Sequence, residues 1–140
     1  MRRNSIPIMV IDRQPYWREF ATAALQAAGY AVSACSLYDE SLPPQREEQE
    51  ISLVLLGCSR LECEERLLIT RLLARGQHVI VFVSSLSTQV MRVLFIRGVE
   101  DAVDRTYDPE ELVDVVAQAL ERIDERSYIQ FPVERKIYHE

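Results

Sequence analysis

A short apolar run, Ile51-Ser52-Leu53-Val54-Leu55-Leu56-Gly57, constrains the fold more than any other stretch of the chain. Its large aliphatic residues do not alternate with polar ones, which is typical of a strand buried on both faces at the centre of a parallel sheet. In open α/β sheets, binding and catalytic groups lie just beyond the carboxyl ends of such strands. The residue at that position is Gly57, which has no side chain to react, to bind a metal ion or to donate a proton.

Four further apolar runs predict the other strands of the sheet, at residues 6–11, 30–35, 78–84 and 99–103. Apolar residues at helical spacing predict helices over residues 15–28, 61–75 and 87–97, and from Asp108 onwards. Strands joined by right-handed crossovers form a doubly wound α/β sheet. We therefore predict a flavodoxin-like five-stranded parallel sheet of strand order 2-1-3-4-5.

Two local signals refine this prediction. Asp108 and Glu111 have the spacing of a capping box at the start of the last helix. Between the second and third strands, the pair Pro43-Pro44 would break a full crossover helix. We therefore expect a degenerate second helix, of one turn at most, within residues 36–50.

The chain divides into a domain of residues 1–126 and a C-terminal extension of residues 127–140. The extension contains too many apolar residues for a plain disordered tail; they are Tyr128, Ile129, Phe131, Val133, Ile137 and Tyr138. It either packs against its own domain, pairs with a second copy or binds a partner.

Composition excludes several classes of protein. The net charge is −6 and Lys136 is the only lysine, which argues against direct nucleic-acid binding. No run approaches the roughly 18 apolar residues that a membrane span needs, and the start is too short for a signal peptide. We therefore expect a cytoplasmic protein. The three cysteines predict neither a disulfide framework nor a metal site, and no cofactor is expected.

Several phrases of the chain resemble the receiver domains of two-component response regulators, in the CheY-like family. They are Met-Val-Ile-Asp-Arg-Gln-Pro, Ala-Gly-Tyr-Ala-Val, Leu-Val-Leu-Leu-Gly, Val-Ile-Val-Phe-Val-Ser and Gly-Val-Glu-Asp-Ala-Val-Asp-Arg-Thr-Tyr-Asp-Pro-Glu-Glu-Leu. The similarity covers about residues 6–125. It implies a domain in which an aspartate accepts a phosphoryl group from a histidine kinase, with Mg²⁺ held by acidic residues.

The resemblance also implies where the family's phosphorylation pocket lies, and most of its residues differ here. The first acidic residue is kept as Asp12, but the second is Arg13 and the acceptor aspartate is Gly57. The hydroxyl residue after the fourth strand falls on Val83, next to Ser84. The family's lysine is Arg105, followed by Thr106 in place of proline, and its switch aromatic is Ala102.

The charges of Asp12, Arg13 and Arg105 leave this pocket at about +1, which repels a divalent cation rather than holding it. Arg13 is a candidate to pair with Asp12 and fill the metal's place. Without an acceptor carboxylate there is no nucleophile for phosphoryl transfer. The sequence therefore predicts a pseudo-receiver that is not phosphorylated and is not an enzyme.

The first hypothesis is a protein–protein interaction module or homodimer. Its contact surface would consist of the helix over 87–97, the fifth strand and the last helix, which is the output surface that the resemblance implies. The helix over 87–97 has more apolar residues than one buried stripe needs, so some should be exposed. The predicted contact residues are Val90, Met91, Leu94, Phe95 and Ala102.

Two alternatives come from other classes of protein. Arg13 and Arg105 could bind a small anion or a phosphorylated metabolite, which would make the domain a ligand sensor. Cys58, one residue beyond the acceptor position, is the only plausible nucleophile of a catalytic protein, but it has no histidine near it in the sequence.

Overall fold

The computed structural model describes residues 6–36 and 52–139, with side chains described up to residue 126. Five strands and four helices follow one another in this part of the chain. They are β1 (Ile8–Ile11), α1 (Pro15–Ala27), β2 (Val32–Cys35), β3 (Leu53–Cys58), α2 (Cys63–Ala74), β4 (His78–Val83), α3 (Thr88–Arg97), β5 (Asp101–Asp104) and α4 (Pro109–His139). The degenerate helix predicted within residues 36–50 lies outside the described residues, except for Ser36.

The sheet is entirely parallel and has the order β2-β1-β3-β4-β5, as predicted. The central strand β3 is buried along its whole length. Its last two residues, Gly57 and Cys58, pair with Phe82 and Val83 of β4. The carboxyl ends of β1, β3, β4 and β5 therefore meet at one edge of the sheet, where the predicted pocket residues lie.

Alternate strand residues point to opposite faces of the sheet, and each face packs against two helices. One core contains Val10, Leu55 and Phe82 and is completed by α1 and α4, which contribute Trp17, Ala21, Leu25, Leu112, Val116, Ala119, Leu120 and Ile123. The other contains Leu56, Val81 and Ala102 and is completed by α2 and α3, which contribute Leu68, Ile69, Leu72 and Leu94. Both faces are thus covered, as the unalternating run of β3 predicts.

The helix ends show one difference from the sequence prediction. Asp108 Oδ1 accepts a hydrogen bond from Glu110 N, so Asp108 caps α4. The reciprocal half of the predicted capping box, a hydrogen bond from Asp108 N to the Glu111 carboxylate, is wrong. The Thr106 hydroxyl lies between these two groups. That hydroxyl accepts from Asp108 N at 3.0 Å and donates to Glu111 Oε1 at 2.5 Å. A complete capping box starts α2 instead, between Glu62 and Glu65.

The last helix is longer than the domain boundary suggested. Its backbone is helical over 31 residues and continues through the predicted extension to His139. At 1.5 Å per residue this is about 46 Å.

Glu100, just before β5, is hydrogen-bonded by Arg126 of α4 and lies 3.4 Å from His78 Nδ1. Burial would raise the pKa of Glu100, but the hydrogen bonds from His78 and Arg126 outweigh it and lower that pKa.

Among the described residues, no helix combines the length and the apolar character needed to cross a membrane.

Candidate functional site at the carboxyl edge of the sheet

The centre of the predicted pocket is a buried ion pair between Asp12, just after β1, and Arg105, just after β5. Arg105 Nη2 lies 2.8 Å from Asp12 Oδ2, and the two side chains are 6% and 3% exposed. Gln14 holds both partners, because its backbone N–H donates to Asp12 Oδ1 and its Oε1 accepts from Arg105 Nη1 at 2.7 Å. Both carboxylate oxygens of Asp12 therefore have a donor within the chain.

Burial raises the pKa of Asp12, while the Gln14 N–H and the Arg105 and Arg18 guanidinium groups oppose that effect. Arg18 also donates to the Asp12 backbone carbonyl at 2.7 Å. The sequence analysis did not identify Gln14 or Arg18 as part of the site. A signal was available, since Arg18 lies one helical turn beyond Gln14 at the start of α1, where both face the end of β1.

The Asp12–Arg105 pair corrects one detail of the sequence analysis, which proposed Arg13 as the partner of Asp12. Arg13 instead extends outwards, and its Nη2 forms a salt bridge of 2.6 Å with Glu64 Oε1 of α2; both side chains are at least half exposed. The physical reason is the direction of the side chains. Successive residues leave β1 on opposite sides, so Asp12 points into the domain and Arg13 points away from it.

Gly57 has no room for a larger residue. A Cβ atom at this position would lie 2.5 Å from Asp12 Oδ2 and 2.8 Å from two ring carbons of Trp17. Approaches below 3.0 Å essentially do not occur for real Cβ atoms. The volume beside Gly57 is therefore already occupied by an indole ring and a carboxylate.

Trp17 of α1 packs in the core directly beneath the site. Its side chain is fully buried beneath the Asp12–Arg105 pair. Its Nε1 donates to the Thr106 carbonyl at 2.8 Å, and its ring lies 5.1 Å from the Phe82 ring. The Arg105 guanidinium lies 5.5 Å from the Trp17 ring centre, within the range of cation–π attraction. The indole thus joins α1 to the β5–α4 loop.

The remaining predicted pocket residues do not reach the ion pair. Val83 is buried in the core on the α2 and α3 side of the sheet. Ser84 is half-buried, and its backbone N–H continues the pairing with the Cys58 carbonyl. A cleft of about 230 Å³ remains above the pair, lined by three acidic residues, three arginines and three uncharged residues: Asp12, Glu62, Glu65, Arg13, Arg60, Arg105, Gln14, Cys58 and Ser59. Its formal charges balance.

Cys58, the candidate nucleophile, is 4% exposed. Burial raises the pKa of its thiol to about 12, and the nearby Glu65 carboxylate adds to this effect. Since the thiolate is the reactive form, this thiol is a poor nucleophile near neutral pH. His78 begins β4 at the opposite edge of the sheet and does not face it.

The Mg²⁺ that the resemblance implies does not fit the residues present. Mg²⁺ requires oxygen ligands in near-octahedral geometry, with carboxylates to balance its charge. Here both Asp12 oxygens are hydrogen-bonded by chain donors, and a guanidinium lies against one of them. Within the part of the chain that the structure describes, no three His, Cys, Asp or Glu side chains are grouped to hold a metal ion.

The predicted contact surface on α3 is only partly exposed. Leu94 points from α3 towards the sheet and Ala102 points from β5 towards the helices on that face, so both are buried in the core and are not part of a surface. Val90 and Met91 pack against the same core and are half-buried. Phe95 is exposed, as are two further apolar residues of the same helix, Val93 and Ile96.

The strand order and the two helical layers are those of the CheY-like receiver fold. A signal receiver domain from Vibrio parahaemolyticus superimposes with a TM-score of 0.74, at 12% identity over 89% of this chain and 96% of its own. A CheY-like receiver domain protein from Methanospirillum hungatei JF-1 gives 0.71, at 18% identity over 86% and 98%. A response regulator from Thermotoga maritima gives 0.71, at 21% identity over 83% and 98%.

The sequence itself matches no family model and no curated protein. At these identities, the similarity to solved structures establishes the fold of the chain.

Proposed function

We propose that this chain is a receiver-like signalling domain that acts without phosphorylation. It serves as a protein–protein interaction or dimerisation module in a two-component-type regulatory pathway of the cytoplasm, and it is not an enzyme. One observation carries this proposal: the Asp12–Arg105 pair and the Trp17 ring fill the space in which an acceptor side chain at position 57 and a bound cation would lie. The receiver fold of the structural neighbours supports the signalling role.

Phosphoryl transfer to a protein needs a nucleophile and groups that stabilise the charge of the transferred phosphoryl group. Gly57 offers no nucleophile, and the Asp12 carboxylate is neutralised by Arg105. The pair also connects the end of β1 to the loop after β5 by direct contacts. The chain is thereby held in one arrangement by its own side chains rather than by a reversible modification.

The exposed apolar residues of α3 support an interaction role. Val93 is 49% exposed, Phe95 45% and Ile96 81%, which leaves three apolar side chains in water on one short helix. Exposed apolar surface commonly marks a protein interface. These three residues, together with the neighbouring edge of β5, form the proposed contact surface.

The phosphorylation part of the proposal is tested by incubating the full chain with Mg²⁺ and a small phosphodonor, such as acetyl phosphate, and recording the intact mass. We expect no phosphorylated species. A receiver domain with an acceptor aspartate serves as the positive control. A stoichiometric, acid-stable or acid-labile phosphoryl adduct on this chain would contradict the proposal.

The interaction part is tested on α3 by sedimentation velocity over a range of protein concentrations. Phe95→Glu places a charge in the proposed contact surface and should abolish self-association. Leu67→Glu is the matched control, because Leu67 is an apolar residue of α2 with a similar exposure of 50%. Equal loss of association in both variants would contradict a specific role of α3, and a monomeric wild-type chain would exclude the homodimer.

The alternative of an anion sensor has less support. Arg105 is neutralised by Asp12, and Arg13 forms a salt bridge with Glu64. The cleft above them carries no excess positive charge, so the chain presents no preformed cationic pocket for an anion there.

A further inference from the structure

A second surface, apart from α3, is formed by three aromatic side chains from α1 and the β5–α4 loop. The Tyr107 ring lies 5.8 Å from the ring of Tyr16 and 5.7 Å from that of Phe20. Tyr16 is 71% exposed and Tyr107 is 49% exposed, while Phe20 is half-buried beneath them. We call this group the aromatic platform. Most of its outer face is not used by the hydrophobic core.

A groove of about 570 Å³ adjoins the platform at Tyr107 and follows the loop to α4. Three carboxylates line it: Asp104, Asp108 and Glu111. The one basic lining residue is Arg105, whose guanidinium is 6% exposed and already paired with Asp12. The groove therefore carries a net negative charge next to exposed aromatic rings.

The three carboxylates are held in place by neutral donors. Asp104 accepts from Leu86 N at 2.9 Å, Asp108 from Glu110 N, and Glu111 from the Thr106 hydroxyl. These hydrogen bonds, together with that from Trp17 Nε1 to the Thr106 carbonyl, hold the loop in one conformation. A hydrogen bond to a neutral group does not cancel the charge of a carboxylate, so the negative potential of the groove remains. The site is preorganised, which reduces the entropy lost on binding.

We propose that the aromatic platform and the acidic groove together bind a cationic segment of a protein partner. An Arg or Lys side chain of the partner lies against the Tyr16 and Tyr107 rings, and its charge is balanced by the carboxylates of the groove. Aromatic faces attract such cations, and Tyr is among the residues that dominate protein interfaces. Complementary charge then selects basic partners over acidic ones. This surface adjoins β5 but contains no residue of α3, so the inference does not depend on the proposed function.

The experiment is an amide chemical-shift titration of the full ¹⁵N-labelled chain with a blocked hexapeptide of alternating Arg and Gly. The control peptide has Glu in place of Arg. We expect saturable shifts at Tyr16, Tyr107 and Glu111 with the Arg peptide alone, and weaker binding at high salt because the charges are screened. Equal shifts with both peptides, or shifts spread over all acidic residues, would overturn the proposal.

Substitutions at the two tyrosines distinguish binding of a cation by the aromatic rings from simple apolar contact. Tyr16→Leu and Tyr107→Leu keep the apolar area but remove the aromatic face, and each should raise the Kd about two- to fivefold. Leu67→Ala, on α2 at the opposite face of the sheet, should leave the Kd unchanged. Unchanged affinity in both Leu variants would refute binding of the cation by the rings. Tyr16 is exposed, so its replacement leaves the core intact, and a thermal unfolding curve confirms this.

A matched pair of substitutions tests the role of the negative charge of the groove. Glu111→Gln removes a carboxylate that lines the groove, whereas Glu110→Gln removes one from the same turn of α4 that does not line it. We expect the first substitution to weaken binding of the Arg peptide severalfold and the second to have little effect. Equal effects of the two substitutions would show that the groove has no specific part in binding, and would overturn its assignment.

Discussion

The substitution Gly57→Ala tests the packing of the candidate site most directly. It adds a single methyl group, which the structure places 2.5 Å from Asp12 Oδ2 and 2.8 Å from two carbons of the Trp17 ring. Neither neighbour can move freely. Asp12 is held by Arg105 and by the Gln14 N–H, and Trp17 is fully buried, packed against Phe82 and hydrogen-bonded to the loop after β5.

Adding a methyl group to a well-packed core costs about 1–3 kcal/mol. Replacing glycine by alanine also restricts the unfolded chain, which offsets the loss by about 0.4–1 kcal/mol where the backbone tolerates alanine. Gly57 lies in a strand and does not have the positive φ of Gly76 or Gly98, so the backbone does tolerate it. We therefore expect a net loss of about 1–2 kcal/mol in the free energy of unfolding.

Urea unfolding followed by circular dichroism measures this loss, which should lower the midpoint without changing the slope. The cause is isolated by a double-mutant cycle with Trp17→Leu, which removes the ring that the new methyl group meets. In that background Gly57→Ala should cost clearly less. An alanine variant as stable as the wild type, or an equal cost in both backgrounds, would refute the packing argument.

Three further predictions follow from the ion pairs and the buried thiol. Arg105→Met leaves the Asp12 carboxylate buried without its partner and should cost about 3–5 kcal/mol in unfolding free energy. The loss should be smaller when Asp12→Asn is also present. An unchanged stability of the single variant would contradict the importance of the ion pair. Glu100→Gln should cost about 1–2 kcal/mol at neutral pH. Because the pKa of Glu100 is lowered in the folded state, this contribution to stability is complete above the ordinary pKa of 4.5 and is lost as the pH falls below that value. The stabilities of the wild type and the variant should therefore converge in acid. A difference that stayed constant with pH would refute the assignment. Finally, a thiol-reactive disulfide reagent should modify the exposed Cys63 rapidly. Cys58, whose thiol has a pKa of about 12, should react only as the chain unfolds. Equal rates at the two cysteines, measured by mass mapping, would contradict the burial of Cys58.

The proposed function and the second surface make independent claims about the chain. The ion pair and the Trp17 ring lie in the interior at the carboxyl edge of the sheet, where they fill the space beside Gly57. The aromatic platform lies outside the same contacts, on the loop that Trp17 and Arg105 hold in place. A chain that proved to be phosphorylated could still bind a basic partner at Tyr107, and the separate experiments distinguish these cases.

Sequence patterns alone were sufficient to predict the sheet and its order. The unalternating run at β3 and the helical spacing after the first, third, fourth and fifth strands are local signals, and they specify which segments form strands and which form helices. The handedness of crossovers then leaves few possible arrangements. The chemistry of position 57 also follows from the sequence, since glycine has no functional group in any fold.

Only the tertiary structure decided which side chains meet at the site. Arg13 adjoins Asp12 in the sequence, yet the partner of Asp12 is Arg105, because alternate side chains of a strand diverge while the carboxyl ends of parallel strands converge. The same convergence brings Trp17 against Gly57, so the indole ring occupies the space that a larger side chain at position 57 would need. Burial of Leu94 and exposure of Phe95 were likewise decided by packing. Sequence periodicity describes one element at a time, whereas these contacts depend on the relative placement of several elements.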